Sequence, residues 1–139
     1  FICEADLYIS DLSIFDAELS RSCYYGKMVP GFSDDWVFDW DGERITRVGK
    51  EGTDRYNMVG VSYFKKADAA VIRDAIDAAY EKPGYEGLYW DEIVDRQLDK
   101  LNLDIHPVEK EQIVEIDSVA ELAVIDESYR EVLEKMQAE

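Results

Sequence analysis

The chain is expected to fold as an α/β protein on a mixed sheet, with an antiparallel β-hairpin excursion near residues 36–48. Three features carry that expectation. Strand-like apolar runs dominate up to Phe64, and the period then changes to a helical one from Lys66. Asp41-Gly42 sits between Trp36-Val37-Phe38-Asp39-Trp40 and Arg44-Ile45-Thr46-Arg47-Val48, a strong hairpin signal because a tight turn needs positive φ. Strands and helices mix rather than strictly alternate, which favours a layered sheet over a regular parallel one.

Residues 1–9 are predicted as a buried strand, 11–19 as a short helix and 22–29 as a strand ended by Pro30-Gly31. After the hairpin, Gly49 to Arg55 is predicted as a polar loop. Tyr56 to Phe64 is a further strand, rich in Tyr, Val and Phe. Val71/Ile72, Ala75/Ile76 and Ala79/Tyr80 recur every four residues, giving an amphipathic helix stopped by Pro83-Gly84. A second helix covers about 89–98, with Trp90, Ile93, Val94 and Leu98 on one face. Strands follow near 103–108 and 111–116. Ser118-x-x-Glu121 is a capping box that opens the last helix, whose buried stripe is predicted as Leu122, Ile125, Tyr129, Val132 and Met136.

At 139 residues and 47% apolar content the chain fits one globular domain, 1–139. No apolar run approaches a membrane span, and no signal peptide is visible. A cytoplasmic location is expected. The net charge is −17, from 32 acids against 15 bases. That excludes a protein built to bind nucleic acid or an anionic membrane surface, both of which need Lys and Arg. Cys3 and Cys23 are predicted to be buried free thiols. His106 is the only histidine, with no serine or cysteine nucleophile evidently paired to a base.

Asp6 and Asp117 are the leading candidates for chemistry. Each ends a short apolar run, Phe1-Ile2-Cys3-Glu4-Ala5-Asp6 and Ile113-Val114-Glu115-Ile116-Asp117. Strand ends in α/β sheets are where ligands gather. Two carboxylates brought together there make an oxygen site for Mg²⁺.

Several stretches taken in order resemble the second half of a nucleotidyltransferase of the sugar-phosphate and choline-phosphate type. They are Cys3-Glu4-Ala5-Asp6-Leu7-Tyr8, Asp35-Trp36-Val37-Phe38, Met58-Val59-Gly60-Val61-Ser62-Tyr63-Phe64, Leu88-Tyr89-Trp90-Asp91 and Glu115-Ile116-Asp117-Ser118-Val119-Ala120-Glu121-Leu122. The resemblance is greatest to the bacterial CTP:phosphocholine cytidylyltransferases. It implies a Rossmann-like mixed sheet, with Asp6 and Asp117 catalytic and Asp6, Glu115 and Asp117 holding Mg²⁺. It also implies transfer of a cytidylyl group from CTP to phosphocholine with release of pyrophosphate.

Trp36, Tyr63, Tyr89, Trp90 and Asp91 fall in the resembling motifs. Aromatic faces beside a carboxylate suit a quaternary ammonium group, so these five are the expected acceptor contacts. A sugar or polyol phosphate acceptor, or a non-catalytic acidic regulatory or oligomerisation module, is the alternative. The family's Gly-rich nucleotide loop has no counterpart here. The chain also opens inside an apolar run without Met. Both features predict a truncated domain lacking the nucleotide-binding half, inactive alone and self-associating.

Overall fold

The computed structural model describes residues 1–138. The main sheet has four strands in the order β1-β4-β3-β5: Ile2–Cys3 (β1), Ile45–Tyr63 (β4), Cys23–Trp40 (β3) and Asp104–Pro107 (β5). β3 pairs with β4 antiparallel and with β5 parallel, so the sheet is mixed. A second, two-stranded sheet joins Leu7–Ile9 (β2) to Ile113–Glu115 (β6).

Alternation along β3 sends successive side chains to opposite faces. Tyr24 enters a core with Phe38, Ile45, Val48, Ile72 and Val94. Its neighbours Cys23 and Tyr25 enter another, with Ile14, Val59, Val61, Val108 and Ile113. The helices Lys66–Tyr80 (α1) and Trp90–Asp95 (α2) close the first core. The small β2–β6 sheet and a 3-10 turn at Leu12–Phe15 close the second. His106, in β5, lies 4.5 Å from the Tyr25 ring, a structural placement.

Several expectations are corrected. Residues 1–9 are not one buried strand. A turn at Ala5–Asp6 divides them between the two sheets, and Phe1 (57%) and Ile2 (44%) are exposed because β1 is an edge strand paired only with β4. Cys3 shares that edge and is exposed, whereas Cys23 is buried. Pro30-Gly31 does not end β3. The strand passes through it at a register shift between Val29 and Phe32, where a proline costs no ladder bond.

The Asp41-Gly42 hairpin is present, but its loop spans four residues, closed by Trp40 opposite Ile45. The Asp41 carboxylate accepts the N–H groups of Glu43 and Arg44, both at 2.9 Å, and this fixes the longer loop. Residues 49–55 continue β4 instead of forming a loop, though Glu51 and Asp54 have positive φ. Asp39 pins that polar stretch by accepting from Arg47 at 2.8 Å and Arg55 at 3.0 Å.

The last helix starts at Ser118 as expected, with Ser118 Oγ accepting from Glu121 N. It is broken, however, into Val119–Ile125 (α3) and Arg130–Gln137 (α4). The Asp126 carboxylate accepts the Ser128 N–H at 3.0 Å and starts a new turn, which competes with a continuous helix. Tyr129, Val132 and Met136 are therefore exposed rather than part of a buried stripe. Among the described residues no helix is long and apolar enough to cross a membrane.

Candidate functional site

The small sheet builds an acidic site by register. Leu7 stands opposite Glu115, and Ile116 N–H donates to Asp6 O at 2.8 Å. The Ala5–Asp6 turn therefore lies beside the end of β6. Carboxylate oxygens of Glu4, Asp6 and Glu115 lie within 4.8 Å of one another, all on exposed residues. Glu4 is tied down by its own N–H, which donates to Gly60 O at 2.9 Å.

Gly60 is part of the cradle. It has φ +74°, and a Cβ there would come within 2.6 Å of Glu4 Oε2 and about 3.0 Å of the Leu7 methyls. Gly60→Ala is expected to destabilise the chain by roughly 1–3 kcal/mol, through positive φ together with crowding. Urea unfolding checks this. A midpoint equal to the parent's would show that neither constraint is real.

The field at this site is uniformly negative. Burial, then Asp91, Asp6 and Asp35, push the Glu4 carboxyl above the usual range. Burial, then Asp117, Asp35, Asp6 and Glu4, do the same to Glu115. Acids from four separate segments thus act on one another. Three hard oxygen donors that repel each other, with a glycine cleared to admit one of them, fit a divalent cation such as Mg²⁺.

Asp6 and Glu115, both expected from sequence, come together. Glu4 joins them without being among the expected residues, although Glu4-Ala5-Asp6 places two acids in alternate positions. Asp117 lies outside the converging triple and acts on Glu115 through its charge. Its N–H donates to Glu121 Oε2 at 2.9 Å, which ties it to the start of α3.

The five expected acceptor residues do not share one pocket. Trp36 and Tyr89 form an aromatic corner, with ring centres 5.5 Å apart at 71°. Trp90 instead packs on the first core, stacked on Tyr24 at 6.0 Å and against Phe64 at 6.1 Å. The first residues of α2 explain the split: Tyr89, at the N-cap, is exposed, and Trp90 turns inward. Tyr63 packs against the second core, 5.1 Å from Phe1, because strand alternation separates it from Phe64.

Asp91 is buried and accepts the Tyr24 hydroxyl at 2.8 Å. Burial pushes its carboxyl up to about 6, against the pull of that hydrogen bond. Asp35 links the two regions. Its charge acts on Glu4 and Glu115, while the next residue, Trp36, walls the aromatic corner.

No family model matches the chain. Over 130 residues it is 52% identical to the 2-aminoethylphosphonate cytidylyltransferase of Lancefieldella rimae, a match covering 93% of this chain and 53% of that protein. It is 26% identical over 128 residues to the choline-phosphate cytidylyltransferase of Streptococcus pneumoniae, covering 91% of this chain and 56% of that protein.

Among solved structures, the CTP:phosphocholine cytidylyltransferase from Streptococcus pneumoniae superposes with TM-score 0.74 at 24% identity, covering 92% of this chain and 56% of that one. The nucleoside-diphosphate-sugar pyrophosphorylase from Vibrio cholerae RC9 gives TM-score 0.56 at 16% identity, covering 86% and 52%. These two likenesses establish the fold, a curled mixed sheet of the nucleotidyltransferase kind. The chain spans about half the length of the curated relatives it matches, in their C-terminal part.

Proposed function

We propose that this chain, a homologue of the C-terminal part of the cytidylyltransferases, contributes the cation-binding and acceptor-binding portion of such an enzyme. The reaction is transfer of a cytidylyl group from CTP to a small aminoethyl phosphonate, with 2-aminoethylphosphonate the first candidate. An oxygen of the phosphonate attacks the α-phosphorus of CTP. The bond from that phosphorus to the bridging oxygen breaks, and pyrophosphate leaves with the electron pair. The observation that carries this reading is the half-identical match to the Lancefieldella rimae enzyme along nearly the whole chain.

Glu4, Asp6 and Glu115 hold a divalent cation such as Mg²⁺, with Asp117 adding charge beside them. When bound, the cation neutralises charge on the phosphoryl groups. The protein's own work is positioning. Through a bound cation the acidic turns would place the phosphonate end, and Asp35, whose charge acts on Glu4 and Glu115, immediately precedes Trp36. The Trp36–Tyr89 corner receives the positively charged amino end through its ring faces, in a cavity that Glu92 and Asp95 also line.

Phosphocholine is the second reading. The aromatic corner favours it, since a quaternary ammonium group cannot donate hydrogen bonds and depends on ring faces. The two separate in one assay on the full-length protein with CTP and Mg²⁺. Pyrophosphate release and the ³¹P spectrum of the product are followed with either acceptor. Faster release with 2-aminoethylphosphonate is expected. A preference for phosphocholine would exchange the two readings, and release with neither would remove both.

A further inference from the structure

We propose that Lys50 is a tethered cation that occupies the Trp36–Tyr89 corner and competes there with the ammonium group of the acceptor. The inference rests on the acceptor reading above. Lys50 Nζ lies 5.6 Å from the Trp36 ring centre and 5.2 Å from that of Tyr89. With the rings 5.5 Å apart, the three points form a nearly equilateral triangle. One ammonium therefore faces two aromatic walls at once, each within cation–π range. The corner opens on a cavity of about 610 Å³.

Nothing else holds the lysine there. Among the described residues Lys50 makes no ion pair. Two acids of the same cavity each accept a backbone N–H and form no ion pair with Lys50. Glu92 Oε2 accepts the Tyr89 N–H at 2.8 Å, and Asp95 Oδ1 accepts the Val48 N–H at 2.7 Å.

The backbone beneath Lys50 is built to present it. Arg47 donates to Lys50 O at 3.2 Å and to Glu51 O at 2.9 Å, and is itself anchored on Asp39 at 2.8 Å. The guanidinium crosses Gly49, where a Cβ would lie 2.5 Å from Nη1, so a side chain there would have to displace the end of Arg47. Glu51 takes φ +66°, a conformation that non-glycine residues rarely adopt.

The resident ammonium sets a threshold that any incoming cation must beat. A primary ammonium on the acceptor replaces like with like. Discrimination between acceptors then depends on the rest of the molecule as well as on the corner.

The test uses this chain without CTP. The ε-methylene of Lys50 is followed by ¹H–¹³C NMR during titration with tetramethylammonium chloride, with sodium chloride as the ionic-strength control. Ring currents are expected to shift that methylene upfield, and tetramethylammonium alone is expected to return it to the free-lysine position. Lys50→Met and Lys50→Gln should each bind tetramethylammonium about 2- to 5-fold tighter, the range an exposed cation–π contact supplies. Trp36→Ala should lose the effect. An unshifted methylene, equal responses to both salts, or unchanged affinity in both Lys50 variants would overturn the proposal. None of these readouts involves nucleotidyl transfer, so a failed competition stays distinct from a failed enzyme assignment.

Discussion

Asp6→Asn in the full-length protein is expected to lower cytidylyl transfer by roughly 10²- to 10³-fold, with folding nearly unchanged. A cation at a transferring phosphoryl group is worth several kcal/mol of charge stabilisation, and each 1.4 kcal/mol is tenfold in rate. Asp6 is exposed in a turn, and its carboxylate supports no packing. Replacing it removes one of three converging oxygens and relieves repulsion on Glu4 and Glu115. The metal-free variant should therefore be no less stable than the parent. Glu115→Gln and Asp117→Asn are expected to follow the same pattern. Glu4→Gln decides how the ligands are shared. A loss as large as that of Glu115→Gln makes Glu4 a ligand, whereas near-parental turnover returns the role to Asp6 with Asp117. Parental turnover for Asp6→Asn at saturating Mg²⁺, followed by pyrophosphate release, would sink the site.

What the residues disclosed in advance follows the range of each signal. Local signals held: the change of period at Lys66 marks α1, Asp41-Gly42 marks the hairpin, and Ser118-x-x-Glu121 marks the start of α3. Signals that need a partner strand did not. Phe1-Ile2-Cys3 has the composition of a core strand, but burial depends on what covers it, and here it lies on an edge. Pro30-Gly31 has the composition of a stop, yet a bulge absorbs it without breaking β3.

The site shows the same division. Asp6 and Asp117 stand out because each ends an apolar run, whereas Glu115 enters only through the family resemblance. Glu4 joins the cluster through contacts distant in sequence: its carboxylate converges with Glu115, and Gly60, more than fifty residues away, leaves room for it. The aromatics were grouped by their place in motifs. Strand alternation and the first turn of α2 then separated Tyr63 and Trp90 from the Trp36–Tyr89 corner. Lys50 carried no signal at all in sequence, because its position depends on Arg47 reaching back over Gly49.

Asp91→Asn is expected to stabilise the metal-free chain by roughly 2–3 kcal/mol near pH 8, roughly 4–10 °C in Tm, and to flatten its stability between pH 4 and 7. The folded chain holds the Asp91 proton more tightly than the unfolded chain does, since burial pushes the carboxyl up to about 6. A raised carboxyl contributes stability that is fully present below the unfolded value, near 4, and lost as pH rises through about 6. Above that, an ionised carboxylate sits in the core, supported by the Tyr24 hydroxyl and its own backbone N–H, with Glu4 nearby. Asparagine keeps the acceptor oxygen for Tyr24 and removes the charge. Other groups also titrate in this range. Glu4 and Glu115 are raised and act in the same direction, while His106, lowered by burial, acts in the opposite one. The difference between variant and parent curves cancels most of these contributions and leaves that of Asp91. Thermal melts of both proteins from pH 4 to 8 measure the effect. A variant as pH-sensitive as its parent would mean that Asp91 is not the buried charge that limits this fold.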